Sequence, residues 1–177
     1  DRIHGSRDPR TAEWMAFLAG LMAHNGDPRA PALAADALEV LEGTGTPAEV
    51  RAIVLAAHAL GPETPVEELL SRAEEALALA RQLGEAASDG HYRALSLRVT
   101  ALFRVGRREE ALVAAEEALA FLDDLPNTEP YRLASMRRTR ALVLQDLGRF
   151  EEANRALIQL NEELVDVFGT EHRAVVH

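Results

Sequence analysis

One phrase recurs along this chain, and its spacing constrains the fold more than any other feature. Val105-Gly106-Arg107-Arg108-Glu109-Glu110-Ala111 returns 42 residues later as Leu147-Gly148-Arg149-Phe150-Glu151-Glu152-Ala153. A weaker copy is Leu60-Gly61, then Val66-Glu67-Glu68-Leu69 after an inserted Pro62-Glu63-Thr64-Pro65. The faintest is Asn25-Gly26-Asp27-Pro28. The four glycines, at 26, 61, 106 and 148, are 35, 45 and 42 residues apart, an irregular helix-turn-helix period. After the turn, Glu109 and Glu110 fall in a helix's first turn, where the helix dipole favours negative charge. Behind them Ala111, Leu112, Ala115, Ala118, Leu119 and Leu122 share one face at spacings of three and four. A stripe this small lets two helices approach closely. One partner cannot bury it all, so hairpins must stack on one another.

The rest of the chain reads as eight helices in four hairpins, about 9–42, 46–84, 91–124 and 130–168, with no strand pattern. Residues 1–8 read as a frayed lead and 169–177 as a tail. In the first helix, Trp14, Met15, Leu18, Leu21 and Met22 give the expected apolar face. Asp27-Pro28 and Thr46-Pro47 are each a cap followed by a first-turn proline, opening helices to about Glu42 and to Leu60. Val50, Ile53, Val54 and Ala57 face inward on the third helix. Leu69, Leu70, Ala73, Ala76, Leu77 and Ala80 do so on the fourth. Residues 84–90, containing Ser88-Asp89-Gly90, read as a loop.

These units resemble tetratricopeptide (TPR) repeats of the long-period bacterial type. The family's turn glycine matches Gly106 and Gly148, and its two small second-helix positions match Ala111 and Ala118. In the last unit Ala153 matches and Leu160 stands where the second alanine belongs. In the second unit Ala76 matches and Leu69 replaces the first alanine. Phe150 matches the aromatic that follows the turn; Arg108 departs from it. The ending Phe168-Gly169-Thr170-Glu171-His172 is similar to the longer repeats of bacterial regulators and kinesin light chains. The resemblance implies an all-α fold, a right-handed superhelical array of about four antiparallel hairpins forming a TPR-like α-solenoid. It also implies a binding function without naming the partner, because such a fold hosts many.

Composition narrows the chemistry. By count, 32 Ala and 26 Leu make up about a third of the 177 residues, while aromatics are 5%. The expected core is aliphatic and leaves little room for a stacked ring cofactor; none is expected. There is no cysteine, which excludes disulfides, thiolate metal sites and a cysteine nucleophile and fits a reducing cytoplasm. No apolar run reaches the roughly 20 residues that span a bilayer, so no membrane association is expected. The net charge of −10 argues against nucleic-acid binding. Six histidines, at 4, 24, 58, 91, 172 and 177, form no HExxH motif, and no metal site is expected. The paired glutamates lie on adjacent helix positions, which diverge by about 100° and read as solvated faces rather than acid–base pairs. No catalytic residue stands out. The start at Asp1 is consistent with excision from a longer signalling or transcription-regulatory protein.

Charge is divided by helix in the last two units. Residues 92–105 and 131–145 hold Arg93, Arg98, Arg104, Arg132, Arg137, Arg138 and Arg140 and no acid, whereas 109–124 hold six acids and no base. The resemblance places first helices on a concave groove, which makes that wall basic and suited to an acidic peptide. It puts Arg51, His58, Arg93, Thr100, Arg104, Arg138, Leu142 and Gln145 on the groove side, with Leu55 and Phe103 adding apolar contact. Arg93, Arg104, Arg138 and Gln145 either touch a ligand or form a solvated face. Arg98 and Arg140, each eight residues before a turn glycine, read as pairing with a neighbouring helix's glutamate. The expected partner is a protein or acidic segment, including a neighbouring domain of a longer chain. The last helix, with Leu160, Leu164 and Phe168, is apolar for an array end, so a homodimer through it is the alternative. A small anionic ligand is a third.

Overall fold

The computed structural model describes residues 9–59, 64–126 and 128–168, without the side chains of residues 9, 24, 58, 59 and 166–168. The expected turn at Gly61, the lead and the tail lie outside these residues. The helices are α1 (Pro9–His24), α2 (Ala30–Leu41), α3 (Pro47–Ala59), α4 (Val66–Leu83), α5 (Ser88–Arg104), α6 (Arg108–Asp124), α7 (Pro130–Asp146) and α8 (Phe150–Phe168). A single 3-10 turn, Gly84–Ala87, separates α4 from α5. Among the described residues there is no strand, and the fold is all-α. Two compact units divide the chain, Asp1–Ala101 and Leu102–His177, with the division inside α5.

In the first unit α1, α2 and α3 pack on one another, and α4 packs on α3. Alanine makes the joints. Ala12 and Ala16 of α1 meet Ala37, Leu41 and Ala52, and Ala19 meets Ala30, Ala34 and Ala56. This corrects the face expected for α1. Met15 and Met22 do lean against these clusters, but Trp14 is 71% exposed, Leu18 50% and Leu21 49%. At 100° per residue, positions 12, 16 and 19 lie across the helix from 14, 18 and 21. Close approach is available only on the alanine side, so the large side chains are left outside. Trp14 and Phe17 pack edge-to-face there, ring centroids 6.0 Å apart.

Two further corrections concern helix starts. Asp27 does not open α2 directly: its carboxylate accepts the Arg29 N–H at 2.9 Å, and the helix begins at Ala30. Residues 88–90 are the start of α5 rather than loop. The reason is packing. A Cβ on Gly90 would stand 2.6 Å from Val50 Cγ1, and Val50 is fully buried. Gly90 is thus a point where the α5 backbone lies hard against α3. A capping group was also missed. Glu49 is 7% exposed and accepts the N–H of Gly43 at 2.6 Å and of Gly45 at 2.7 Å. It ties the 43–45 bend to the first turn of α3.

In the second unit α7 packs on α6 and α8 packs on α7. The recurring phrase is a recurring turn. The Gly106 N–H donates to the Phe103 carbonyl at 3.1 Å and the Arg107 N–H to Leu102 at 3.0 Å. Gly148 and Arg149 repeat both bonds, to Gln145 and Leu144, at 2.9 Å each. Both glycines have φ near +75°, at 74° and 76°, the left-handed conformation that ends a helix with these bonds. The faint first copy does the same: Gly26 donates to Ala23 and Asp27 to Met22. The residue after each of the two later glycines has a second duty. Arg107 Nε donates to Glu110 at 2.6 Å and Arg149 Nε to Glu152 at 2.7 Å, one turn along.

Gly90→Ala replaces glycine within a helix, which alone favours the helix by about 1 kcal/mol. The clash with Val50 outweighs it, and we expect a net loss of about 1–2 kcal/mol in chemical denaturation. Adding Val50→Ala should make the pair less destabilised than the sum of the two single changes.

The Arg149 guanidinium hydrogen bond holds Glu152 below the ordinary carboxylate range, with smaller help from the charges of Arg149, Arg155 and Arg140. A depressed folded-state value means that the pair's contribution is complete above the ordinary glutamate pKa. It is lost as pH falls through the depressed value. NMR titration should place the Glu152 midpoint below that of an unpaired glutamate, and Arg149→Ala should raise it.

A candidate partner-binding depression on the last hairpin

The exposed faces of α7 and α8 enclose an open depression of about 670 Å³. Its wall on α7 is Ala134, Ser135, Arg138 and Leu142, and on α8 Leu157, Ile158, Asn161 and Glu162, an acid that has no ion pair with Arg138. The residues fall there because each helix has spent its other side on neighbours. Met136, Ala141, Val143 and Leu144 of α7 are buried, and Ala153 of α8 is fully buried. What remains outside includes two large apolar side chains, Leu142 at 46% and Ile158 at 61% exposure. Leu160 and Leu164 also line it but are themselves buried, packed with Ala134 and Val165. They stabilise the hairpin and offer little surface of their own. The Phe168 side chain lies outside the described residues.

The expected basic wall is mostly consumed by ion pairs. Arg51 donates to Glu13 of α1, from Nε at 2.7 Å. Arg93 donates to Asp89 at 2.8 Å, an acid that joins α5 once the helix starts at Ser88. Arg98 lies 3.7 Å from Glu74 of α4, Arg140 donates to Glu116 of α6 at 3.1 Å, and Arg137 pairs with Glu163 of α8. Arg98 and Arg140 thus pair with neighbouring helices, as their repeated position suggested. The Thr100 hydroxyl donates back to the Ser96 carbonyl at 3.0 Å. Arg104 is exposed and Gln145 half-buried. Leu55 packs against the first unit's core, and Phe103 is 38% exposed. The side chains of His24 and His58 lie outside the described residues.

Arg138 is the exception. It is exposed on the rim of the depression and has no ion-pair partner among the described residues. An apolar hollow with one unpaired guanidinium at its edge can hold a partner's apolar side chains and orient them by a two-pronged bond to a carboxylate. Among the described residues no cluster of three or more His, Asp or Glu side chains gathers as a metal site. No described helix is long and apolar enough to cross a membrane.

No family model and no curated protein matches the chain. Solved structures do. The nearly identical TPR-like repeats of a putative kinesin light chain from Podosopora anserina align with a TM-score of 0.75 at 20% identity, covering 94% of this chain and 81% of that one. A single-residue variant of the same repeats aligns at 0.76 and 18% identity, covering 97% and 82%. At that identity the likeness shows the fold, which is TPR-like, and nothing finer.

Proposed function

We propose that the chain is a non-catalytic scaffold that binds a protein segment carrying apolar side chains and a carboxylate. The observation that carries this is Arg138, an unpaired guanidinium in a chain whose other groove arginines are so largely taken up, set beside Leu142 on the rim of an apolar depression. The TPR-like fold supports a binding role, since its stacked hairpins present broad surfaces rather than enclosed sites. The long repeat period supports the finer reading, an interaction or sensory module of a larger bacterial signalling or transcription-regulatory protein in the cytoplasm.

The test is a displayed library of short peptides, selected on dilute wild-type chain and on Arg138→Glu. Wild type should enrich peptides that pair apolar residues with Asp or Glu. Charge-assisted hydrogen bonds contribute about 1.5–3 kcal/mol, so Arg138→Glu should weaken the selected peptides by roughly ten- to a hundredfold. Binding should fall as salt rises. Peptides bound equally by both forms would contradict the reading.

A further inference from the structure

The two ends of the chain each carry an apolar face, and the repeat relates both to its internal joints. On α1, Trp14, Phe17, Leu18 and Leu21 form one exposed apolar stripe, 48–71% exposed. In the sequence, the Gly26 to Gly61 spacing of 35 matches Phe17 with Ala52 and Leu21 with Ala56, and Trp14 and Leu18 with Glu49 and Ile53. Ala52 and Ala56 are the α3 residues that seat it on the preceding hairpin, against Ala12, Ala16 and Ala37 and against Ala19, Ala30 and Ala34. Phe17 and Leu21 of the stripe therefore stand at the positions by which α3 docks onto the hairpin before it.

The other end carries the acceptor. At an offset of 42, Glu116 of α6 corresponds to Ile158 of α8. Glu116 faces the incoming first helix: it accepts hydrogen bonds from Arg140 of α7 at 3.1 and 3.2 Å. On α8 that position holds an exposed isoleucine at the depression. The joints of α1 are built mainly on alanine and take few large side chains, Leu41 among them. The depression of about 670 Å³ does need large ones, and α1 supplies a tryptophan, a phenylalanine and two leucines.

We infer that the occupant of the α7/α8 depression is α1 of a second copy, docked head to tail as a first helix docks within the chain. The inference rests on the reading of the depression as a partner site and names the partner. Such a contact joins two different surfaces and leaves one of each free, so it propagates rather than closing as a symmetric dimer. Phe17 and Leu21 hold the docking positions, and Trp14, edge-to-face with Phe17 and 71% exposed, is the largest apolar side chain the stripe brings to the hollow.

Analytical ultracentrifugation of the full chain tests this with two variants at exposed positions, Trp14→Asp and Ile158→Asp, both checked for unchanged helicity by circular dichroism. Wild type should gain mass steadily with concentration. Each variant alone should remain monomeric at concentrations where wild type associates. An equimolar mixture should form a 1:1 dimer of twice the monomer mass, because only one intact joint can form. Self-association of Ile158→Asp alone would show an α1-to-α1 contact, and that of Trp14→Asp alone an α8-to-α8 contact; either overturns the inference. A wild-type chain that stays monomeric overturns it too. That result leaves the binding reading standing, since peptide selection at the Arg138 edge reads the site independently.

Discussion

Alanine at the helix contacts is the constraint on which the rest depends. A helix face made of Ala12, Ala16 and Ala19, or of Ala111, Ala114, Ala115 and Ala118, has almost no side chain to hold a neighbour away. Backbones therefore approach closely, and the fit is set by shape over many small contacts rather than by a few large residues. Two consequences follow. Space at the joints is tight enough for a single added methyl to matter, as at Gly90 against Val50. The large residues Trp14, Phe17, Leu18 and Leu21 find no place in the alanine joints of α1 and stay outside, as do Leu142 and Ile158 over α7 and α8.

Electrostatics then decides what remains available. The arginines of the first helices reach the glutamates of the second helices, and the chain's charge division by helix is largely closed internally: Arg98 with Glu74, Arg140 with Glu116, Arg137 with Glu163. These pairs are partly exposed and each contributes little to stability. Their larger effect is to remove cations from the surface. Arg138 keeps its charge free of a described partner because its helix position faces the depression rather than a neighbouring helix.

Much of this was legible in the sequence. The 42-residue repeat of the Gly-Arg-x-Glu-Glu phrase marked two turns with the same pair of hydrogen bonds, and even Asn25-Gly26 proved to share them. Small residues at spacings of three and four marked the buried faces of α4 and α6. The reading failed where size was taken for inwardness. On α1, Trp14, Leu18 and Leu21 are larger than Ala12, Ala16 and Ala19, yet the alanines are buried, since the joint selects for closeness. Ser88-Asp89-Gly90 carried turn residues, but the contact with Val50 makes its glycine a packing residue inside a helix. Glu49 was missed although Thr46-x-x-Glu49 is a capping-box spacing, a signal that was there to be read. Arg138 could not be told from Arg137 or Arg140 by composition; only the placement of α6 and α8 separates them.

Trp14 is the chain's one tryptophan, which makes the central claim directly measurable. If alanine joints turn the large residues of α1 outward, the fluorescence of dilute native chain should show the red-shifted emission of a solvated indole. A neutral quencher such as acrylamide should reach it nearly as well as in the denatured chain. A blue-shifted emission protected from quenching in a chain shown to be monomeric would place Trp14 in the core and contradict the account.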